Sequence, residues 1–301
     1  MSNILLTGGS GFVGRNLIHE LDKEADFNIE KINFRDPLPI SLPPFQCLIH
    51  LAGIAHDIKN VNNDKEYFEI NYEKTKILFD LFLASEGKDF IYFSSVKAVA
   101  DTLDKVLEED EFPNPQTSYG LSKLKAEEYL LSQLIPKNKR VFILRPSMIH
   151  GPGNKGNLNL LYNIIKKGIP YPLGAFENIR SFLSIDNLIY ILVRIINEPE
   201  IAGGIYNVAD DKAISTRELI KIISISSSSP ERIWYFPKSL ILMVAKIGDI
   251  FHIPFNSEVL KKLTESYVVS NRKIKRALGI SQLPVSVHEG LGKTIKSFKN
   301  N

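Results

Sequence analysis

The first half of the chain alternates short apolar runs with longer amphipathic stretches, and this alternation limits the folds that it can adopt. The runs have the length of buried strands, and the stretches have the apolar spacing of helices. Repeated strand–helix–strand units build a doubly wound parallel sheet with helices on both faces, so we predict an α/β fold. The predicted strands are Asn3–Thr7, Asn28–Asn33, Cys47–Leu51, Phe90–Ser94 and Arg140–Leu144, and the predicted helices are Phe12–Asp22, Asp64–Ser85 and Ser118–Gln133.

The chain is long enough for two domains. Its 301 residues, 44% hydrophobic and 24% charged, have the composition of a globular protein with a sizeable core. The regular alternation ends at a glycine- and proline-rich loop. We therefore place a first domain at 1–153 and a smaller α/β domain at 154–301, and segments within 183–209 are candidates to return to the first domain. We also predict a surface loop at Ser224–Pro230.

Charge and cysteine content exclude several classes of protein. A net charge of +3 gives no argument for nucleic-acid binding, and one cysteine allows no internal disulfide, which indicates a reducing compartment. No secretory signal precedes the first predicted strand, so we expect a cytoplasmic protein. The apolar run Ser239–Phe251 is interrupted by charges and is shorter than the ~20 residues of a membrane span. We expect an amphipathic helix there and no stable membrane insertion, and the scattered histidines predict no metal site.

Three glycines at three-residue spacing follow the first predicted strand and open the first predicted helix. Gly8, Gly11 and Gly14 allow a tight turn and the close approach of a pyrophosphate, which binds at the helix N-terminus. The spacing differs from the dehydrogenase fingerprint G-x-G-x-x-G, but the order of strand, turn and helix is the same. We therefore predict a Rossmann-type dinucleotide site that includes Phe12 and Val13.

The end of the second predicted strand selects between the two nicotinamide dinucleotides. An acid there binds the ribose of NAD, whereas an arginine accommodates the 2′-phosphate of NADP. The sequence has Asn33 in the place of the acid, with Arg35 two residues later and Arg15 as a second candidate. A guanidinium pairs with phosphate through two parallel hydrogen bonds, so we favour NADP. Asp36 leaves NAD open.

Tyr119 and Lys123 are one helical turn apart, so their side chains share a face. A lysine ammonium stabilises a phenolate and is expected to lower the tyrosine pKa from about 10. Such a tyrosine exchanges a proton with a sugar hydroxyl. Alone the spacing is common, but with the glycine turn and with Ser94 and Ser95 after a predicted strand it indicates a nicotinamide oxidoreductase.

These motifs resemble the extended short-chain dehydrogenase/reductases, the NAD-dependent epimerase/dehydratase family, over nearly the whole chain. The resemblance implies that Tyr119 exchanges the proton, that Lys123 lowers its pKa and binds the nicotinamide ribose, and that Ser95 rather than Ser94 orients the reacting oxygen. It also implies cofactor contacts from Leu51, Ala52, Gly53, Asn71 and Pro146. Members pair two long helices, so the resemblance implies a homodimer through Asp64–Ser85 and Ser118–Gln133.

In this family the second half of the chain holds a nucleotide sugar. The resemblance implies that Asn157 and Arg180 bind the substrate diphosphate, for which a planar guanidinium is well shaped. Arg276 is a weaker candidate, because it lies among other basic residues on a predicted helix.

The residues after Ser95 separate the activities within the family. Members that eliminate water carry an Asp-Glu pair there, whereas this chain has Val96 and Lys97, so a dehydratase is not expected. The local sequence resembles a subgroup from bacterial surface-polysaccharide pathways. We expect reduction of a 4-keto group on a UDP-activated N-acetyl (6-deoxy) hexose. The alternative is a nucleotide-sugar 4-epimerase that retains NAD, and a more remote one is a dinucleotide-sensing protein without catalysis.

Overall fold

The computed structural model describes residues 2–23, 26–34, 38–54, 64–154, 156–251, 253 and 255–300. Within these ranges the chain forms ten strands and eleven α-helices. In chain order they are β1 (Ser2–Thr7), α1 (Phe12–Leu21), β2 (Phe27–Ile32), β3 (Cys47–His50), α2 (Asp64–Phe68), α3 (Lys74–Ala84), β4 (Asp89–Phe93), α4 (Ser118–Ser132), β5 (Arg140–Pro146), β6 (Met148–His150), α5 (Asn157–Lys166), β7 (Ile179–Arg180), β8 (Phe182–Ser184), α6 (Ile185–Asn197), β9 (Gly204–Val208), β10 (Ile214–Ser215), α7 (Thr216–Ser227), α8 (Lys238–Phe251), α9 (Ser257–Thr264), α10 (Arg272–Ala277) and α11 (Val287–Ser297).

Six strands form one sheet in the order β2-β1-β3-β4-β5-β9, and every pair in it is parallel. From β1 the chain moves outward to β2, then returns to β3 and continues toward the other edge. The strand order therefore reverses between β1 and β3, which is where such sheets bind ligands at the carboxyl ends of their strands. The predicted doubly wound α/β fold is confirmed.

The core is divided by the sheet into two layers. Ile4 and Leu6 of β1 are buried with α1 and α6, whereas Leu5 between them is buried with α3 and α4. Successive side chains of a strand point to opposite faces, so a continuous apolar run supplies both layers.

The second half of the chain contributes to the main sheet and to a smaller unit beside it. Strand β9 pairs with β5 at the sheet edge, and α6 packs on the same layer as α1. Helices α5, α7 and α11 share a separate apolar cluster, and α8 and α9 enclose another with Leu173. Two short pairs, β6–β8 and β7–β10, link these parts.

Two predicted elements differ from the structure. The long helix predicted at Asp64–Ser85 is divided into α2 and α3 by a π-helical turn at Glu69–Glu73. The loop predicted from Ser224 onward is wrong at its start, because α7 continues to Ser227. The Ser227 hydroxyl donates to the carbonyl one turn earlier, and Ser228 ends the helix with a φ of 57°. None of the described helices has the length and apolar character needed to cross a bilayer.

Candidate active site

The glycine turn lies in close contact with the loop that follows β3. Gly8 has a φ of +71°, and a Cβ there would lie 2.7 Å from the Ala52 nitrogen and 2.9 Å from the Leu51 carbonyl carbon. A Cβ on Gly14 would lie 2.4 Å from the Gly8 oxygen. Only glycine satisfies both positions. This close packing of strand, turn and helix is what a dinucleotide pyrophosphate requires, so these residues fit the predicted cofactor.

The N-terminus of α1 opens onto this turn. Gly11 is its N-cap, and Phe12 and Val13 begin the helix. The first N–H groups of a helix have no acceptor within it, and together with the helix dipole they attract a phosphate. Phe12 also lies near Gly151, since a Cβ on that glycine would be 3.4 Å from its ring.

Basic side chains lie beside the turn where β2 ends. Arg15 donates to the Ser10 carbonyl at 2.7 Å, which holds its guanidinium against the turn. The stem of Lys31 passes 3.5 Å from the position of a Cβ on Gly9. Asn33 follows β2, which pairs with β1 along its whole length. Arg35, the first candidate for the 2′-phosphate, lies outside the described residues.

Asn71 fastens the loop after β3 to α4. Its side-chain oxygen accepts from the Ile54 N–H at 2.8 Å, and its nitrogen donates to the Ile54 carbonyl at 3.0 Å and to Ser122 Oγ at 3.1 Å. A Cβ on Gly53 would lie 2.8 Å from Asn71 Oδ1 and 3.1 Å from Lys123 Nζ. Asn71 is fully buried. The predicted cofactor contacts at 53 and 71 therefore lie beside the predicted catalytic lysine.

The Ser95 side chain lies close enough to Tyr119 to favour the phenolate form of the tyrosine. Tyr119 lies in the first turn of α4, and Ser95 follows β4 in extended conformation. Burial raises the pKa of Tyr119, and the Ser95 side chain opposes that shift. The net direction is opposite to the lowering expected from the sequence, because burial of the phenol outweighs the groups that stabilise a phenolate. At neutral pH Tyr119 is therefore a proton donor.

Lys123 is buried one turn after Tyr119, with only 5% of its surface exposed. Its ammonium donates to the Phe93 carbonyl at 2.8 Å and lies 4.9 Å from the ring centre of Tyr92. Burial lowers the pKa of Lys123 to about 8, although the Glu127 carboxylate acts in the opposite direction. Lys123 is therefore mainly charged at neutral pH and loses its proton in mildly alkaline solution.

The two adjacent serines have different partners. The Ser94 hydroxyl donates to the buried carboxylate of Glu127, which forms an ion pair with Arg145 at 2.6 Å. The Ser95 hydroxyl accepts from the Lys97 N–H at 3.2 Å and meets Tyr119. The Glu127–Arg145 pair was not predicted from the sequence. One signal was present, since Glu127 lies one turn after Lys123 and on the same face.

Arg180 is anchored to the end of α9. Its guanidinium donates to the Glu265 carbonyl at 3.2 Å and to the Lys262 carbonyl. The side chain is half-buried, and burial lowers its pKa. It lies close enough to Lys97 for the two charges to interact.

Lys97 is a second cation near Ser95. Its ammonium donates to the Asp101 carbonyl at 2.6 Å and lies 4.0 Å from the ring centre of Tyr267. Burial lowers the pKa of Lys97, and Arg180 contributes in the same direction. In the sequence Lys97 is evidence only against a dehydratase, whereas in the structure it lies near the predicted diphosphate-binding arginine.

Arg276 lies away from these groups. The carbonyl of Leu278, two residues later, accepts from Arg194 near the end of α6. The carbonyl of Glu198 just beyond accepts from Arg140, the first residue of β5. This is the amino edge of the sheet, opposite the glycine turn. That Arg276 binds substrate stays a prediction, although α10 ends near the amino edge of the sheet.

The remaining predicted site residues, Pro146 and Asn157, lie at the end of a strand and at the start of a helix. Pro146 ends β5 beside Val208 of β9. Asn157 begins α5, but its side chain lies outside the described part of the structure. His50 is buried between the hydroxyls of Thr7 and Thr75, at 2.6 and 2.8 Å, and burial lowers its pKa. Among the described residues, no three His, Cys, Asp or Glu side chains group as metal ligands do.

Comparison with known proteins agrees with this geometry. Residues 40–209 match the model of the NAD dependent epimerase/dehydratase family. The chain is 30% identical to a UDP-glucose 4-epimerase of Vibrio cholerae, over 98% of this chain and 95% of that protein. It is 25% identical to an N-acetyl-α-D-glucosaminyl-diphospho-ditrans,octacis-undecaprenol 4-epimerase of Escherichia coli O157:H7, over 98% and 94%. A GDP-6-deoxy-D-mannose reductase of Pseudomonas aeruginosa is 27% identical, over 73% and 79%.

Solved structures share the fold over the full length. RMD from Pseudomonas aeruginosa, complexed with NADPH, has a TM-score of 0.76 at 22% identity and covers 100% of both chains. The UDP-glucuronic acid 4-epimerase of Bacillus cereus, in complex with NAD, has a TM-score of 0.77 at 19% identity over 99% of both chains. The matches set aside the alternative of a protein without catalysis. The chain belongs to the NAD dependent epimerase/dehydratase family and is an enzyme of the extended short-chain dehydrogenase/reductase type.

Proposed function

We propose that this enzyme transfers a hydride between C4 of a sugar and a nicotinamide dinucleotide, with the sugar carried on a diphosphate. One observation carries the proposal: Ser95, Tyr119 and buried Lys123 lie together at the strand end beside the glycine turn. One tuned proton donor, one positioned hydroxyl and one cation are the protein groups that this chemistry needs, since the bound dinucleotide supplies the hydride.

Each of the three side chains has a separate role in the proposal. The Ser95 and Tyr119 hydroxyls bind the C4 oxygen of the sugar, and Tyr119 gives or takes its proton. The Lys123 ammonium holds the nicotinamide ribose and keeps positive charge near the phenol. The Glu127–Arg145 pair holds Ser94, which leaves Ser95 as the hydroxyl that faces Tyr119.

We place 4-epimerisation ahead of reduction. Two relatives that align over 98% of this chain and over 95% and 94% of their own length are 4-epimerases, whereas the reductase aligns over 73% of this chain. Reduction of a 4-keto group on a UDP-activated N-acetyl (6-deoxy) hexose is the second candidate. It is favoured by the raised pKa of Tyr119, because reduction of a ketone needs a protonated phenol at the start of the cycle.

The sugar diphosphate is proposed to bind between the first domain, 1–153, and the residues from 154 onward. Lys97, two residues after Ser95, and Arg180, which lies within interaction range of Lys97, are the proposed cations, and Asn157 at the start of α5 is a further candidate. The diphosphate of a nucleotide and that of a polyprenol offer the same charges to these groups. Both carriers are therefore considered, as the names of the two 4-epimerase relatives suggest.

For the cofactor we propose NAD(P), with NADP favoured. Arg15 beside the turn, the nearby Lys31 and the neutral Asn33 support a site that accepts a 2′-phosphate. Arg35→Ala is expected to weaken NADPH binding more than NADH binding, as measured by fluorescence titration. Equal losses for both cofactors would show that Arg35 does not bind the 2′-phosphate.

The experiment that separates the candidate activities compares cofactor use with product. The purified enzyme is incubated with UDP-N-acetylglucosamine or UDP-glucose, and the sugar is identified by NMR while absorbance is followed at 340 nm. An epimerase forms the C4 epimer with only a catalytic amount of dinucleotide. A reductase instead consumes NADPH in proportion to a supplied 4-keto sugar nucleotide. Absence of both reactions with folded enzyme would exclude nucleotide sugars as substrates, and absence of turnover of a polyprenyl-diphosphate N-acetylhexosamine as well would refute the proposal.

A further inference from the structure

Helix α8 presents an unusually apolar face to solvent. Ile241, Ala245 and Gly248 form its narrow buried stripe. At about 100° per residue, the exposed side that begins next to this stripe has a contiguous apolar arc of about 120°. The side chains of this arc, the α8 face, are 40–71% exposed and comprise Leu240, Met243, Val244, Ile247, Ile250 and Phe251. An apolar patch of this kind on a solvent-exposed protein surface marks an interaction site.

Positive charge borders the α8 face. At about 100° per residue Lys246 lies next to the α8 face. The Lys238 ammonium lies 5.8 Å from the ring centre of Phe176, and the exposed Lys261 follows on α9. The one acidic side chain of α8, Asp249, is held by the backbone and hydroxyl of Ser257 at 2.9 and 2.6 Å. The border is therefore suited to a negatively charged partner.

Two exposed aromatic side chains come just before α8. Trp234 is 53% exposed and Tyr235 is 61% exposed. The backbone of Trp234 is fixed by hydrogen bonds with Tyr171 and Gly174, so the side chain is presented from an ordered segment. Trp and Tyr concentrate at membrane–water interfaces, where an apolar ring with a polar edge is favoured.

Helix α9 connects the α8 face with the candidate active site. Leu260 of α9 packs with Ile241 of α8, and a Cβ on Gly248 would lie 1.9 Å from the Phe255 carbonyl oxygen, so the two helices are in close contact. The end of α9 is held by Arg180, the proposed diphosphate ligand. A surface that binds the α8 face therefore lies near the route by which a sugar diphosphate approaches.

We propose that the α8 face docks on the surface of an anionic lipid bilayer and thereby admits sugar diphosphates carried by a membrane lipid. The substrate part rests on the proposed function, whereas the docking does not. The helix has 14 residues, about 21 Å, and is shorter than the ~30 Å hydrocarbon core, so it lies in the interface rather than across it. A second copy of the chain is a poorer occupant, since a twofold contact through this face would bring like charges such as Lys246 together.

Vesicle flotation tests the docking directly. The wild-type enzyme is mixed with vesicles of phosphatidylethanolamine and phosphatidylglycerol, and in parallel with phosphatidylcholine alone. We expect flotation with the anionic vesicles and a blue shift of the emission of Trp234, the only tryptophan of the chain. The variant Leu240→Ser/Ile247→Ser/Phe251→Ser should bind about tenfold or more weakly, because it removes apolar area from the α8 face.

Matched variants make the result specific. The control Ile40→Ser/Leu134→Ser/Ile225→Ser removes three exposed apolar side chains from other surfaces and should float like the wild type. Lys246→Glu keeps the apolar face but should reduce binding to anionic vesicles. Thermal unfolding of each variant verifies its fold. Absence of flotation for the wild type, equal flotation for all variants, or conversion of a dimer to a monomer by the α8 variant would overturn the docking proposal.

Activity separates this proposal from the proposed function. Turnover of a water-soluble UDP-sugar should be the same for the α8 variant and the wild type, whereas turnover of a polyprenyl-diphosphate N-acetylhexosamine in vesicles should fall about tenfold. Equal turnover of the lipid-linked sugar by both would refute the substrate part. Vesicle binding without turnover of either sugar would refute the proposed function and leave the docking intact.

Discussion

At the scale of single residues, Lys123 combines burial with a charge that the proposed chemistry requires. Its ammonium has the Phe93 carbonyl and the Tyr92 ring as neighbours, and its pKa is lowered to about 8. A pKa lowered by burial means that the folded state disfavours the charged form. The buried charge of Lys123 therefore destabilises the folded state at neutral pH.

Replacement of Lys123 by methionine should stabilise the fold at neutral pH. The unfolded chain binds this proton up to about pH 10.5 and the folded protein only up to about pH 8, so unfolding takes up a proton in between. The penalty is complete below pH 8 and fades as the pH rises to 10.5. Lys123→Met should raise the free energy of unfolding at pH 7 by up to about 3 kcal/mol and abolish turnover.

Urea unfolding at pH 7 and pH 10 measures this effect. The exposed Lys125 of the same helix is the control, and Lys125→Met should change stability by less than about 0.5 kcal/mol at either pH. The same gain at both pH values for Lys123→Met would show that the lysine is not buried as a strained cation.

The adjacent serines offer a matched pair of variants. Ser95→Ala should lower kcat by about 10²–10³-fold with little change in stability, because only Ser95 meets Tyr119. Ser94→Ala should instead destabilise the fold by about 1–3 kcal/mol, since it removes a partner of the buried Glu127. Steady-state kinetics and thermal unfolding of both variants measure these effects. A lower kcat for Ser94→Ala than for Ser95→Ala would contradict the assignment.

Sequence spacing was sufficient to predict only some of these site residues. Tyr119 and Lys123 are one helical turn apart, and Ser95 follows an apolar run, so the local sequence pattern predicts all three. The pairing of Glu127 with Arg145 joins a helix to a strand, and no local pattern specifies it. The raised pKa of Tyr119 likewise depends on burial by distant segments, so the spacing to Lys123 alone predicted the wrong direction of the pKa shift.

At the scale of elements, the π-helical turn between α2 and α3 positions Asn71. The wider turn interrupts a helix that the sequence pattern presents as continuous, and such turns occur frequently at functional sites. Asn71 there binds both backbone groups of Ile54 and the hydroxyl of Ser122. One side chain therefore ties the cofactor-side loop to the helix of Tyr119.

Asn71→Ala should weaken dinucleotide binding as well as stability. It leaves the N–H and C=O of Ile54 without their partner, which costs about 1–3 kcal/mol, and it releases the loop beside Gly53. Calorimetric titration with NAD and NADPH and urea unfolding measure the two effects. Asn163→Ala, on the exposed side of α5, is the control. Wild-type dinucleotide affinity in Asn71→Ala would contradict the role assigned to this loop.

The predicted elements match best where the pattern is long. The predicted ends of the five strands lie within one or two residues of the observed ends, because buried parallel strands are continuous apolar runs. Strands β6, β7, β8 and β10 have only two or three residues each, too few for any periodicity, so their pairing depends on tertiary contacts.

At the scale of the whole molecule, α3 and α4 keep apolar surface beyond what the core uses. Phe79 and Phe82 are fully buried against the sheet, whereas Ile77, Leu121 and Leu131 are 48, 36 and 57% exposed. The phenylalanines therefore serve the chain's own core. The three exposed side chains are the surface through which the proposed homodimer would form.

Ile77→Asp/Leu131→Asp should convert the proposed dimer to a monomer, because each charge would be buried at the contact. Light scattering is expected to give twice the 34.0 kDa of one chain for the wild type and the single mass for the variant. Leu160→Asp, on the surface of α5, should leave the dimer unchanged. A wild-type mass of one chain at all micromolar concentrations would exclude the dimer.

The most direct test of hydride transfer at C4 by this active site follows the hydride itself. UDP-N-acetylglucosamine carrying deuterium at C4 is incubated with enzyme and oxidised dinucleotide in one turnover, and the label is located by mass spectrometry. The account predicts a transient absorbance at 340 nm with deuterium on the nicotinamide ring when the reaction is quenched at that time, return of the deuterium to C4 of the epimer afterwards, and no transfer with Tyr119→Phe. Release of the deuterium to water, or equal transfer in Tyr119→Phe, would contradict it.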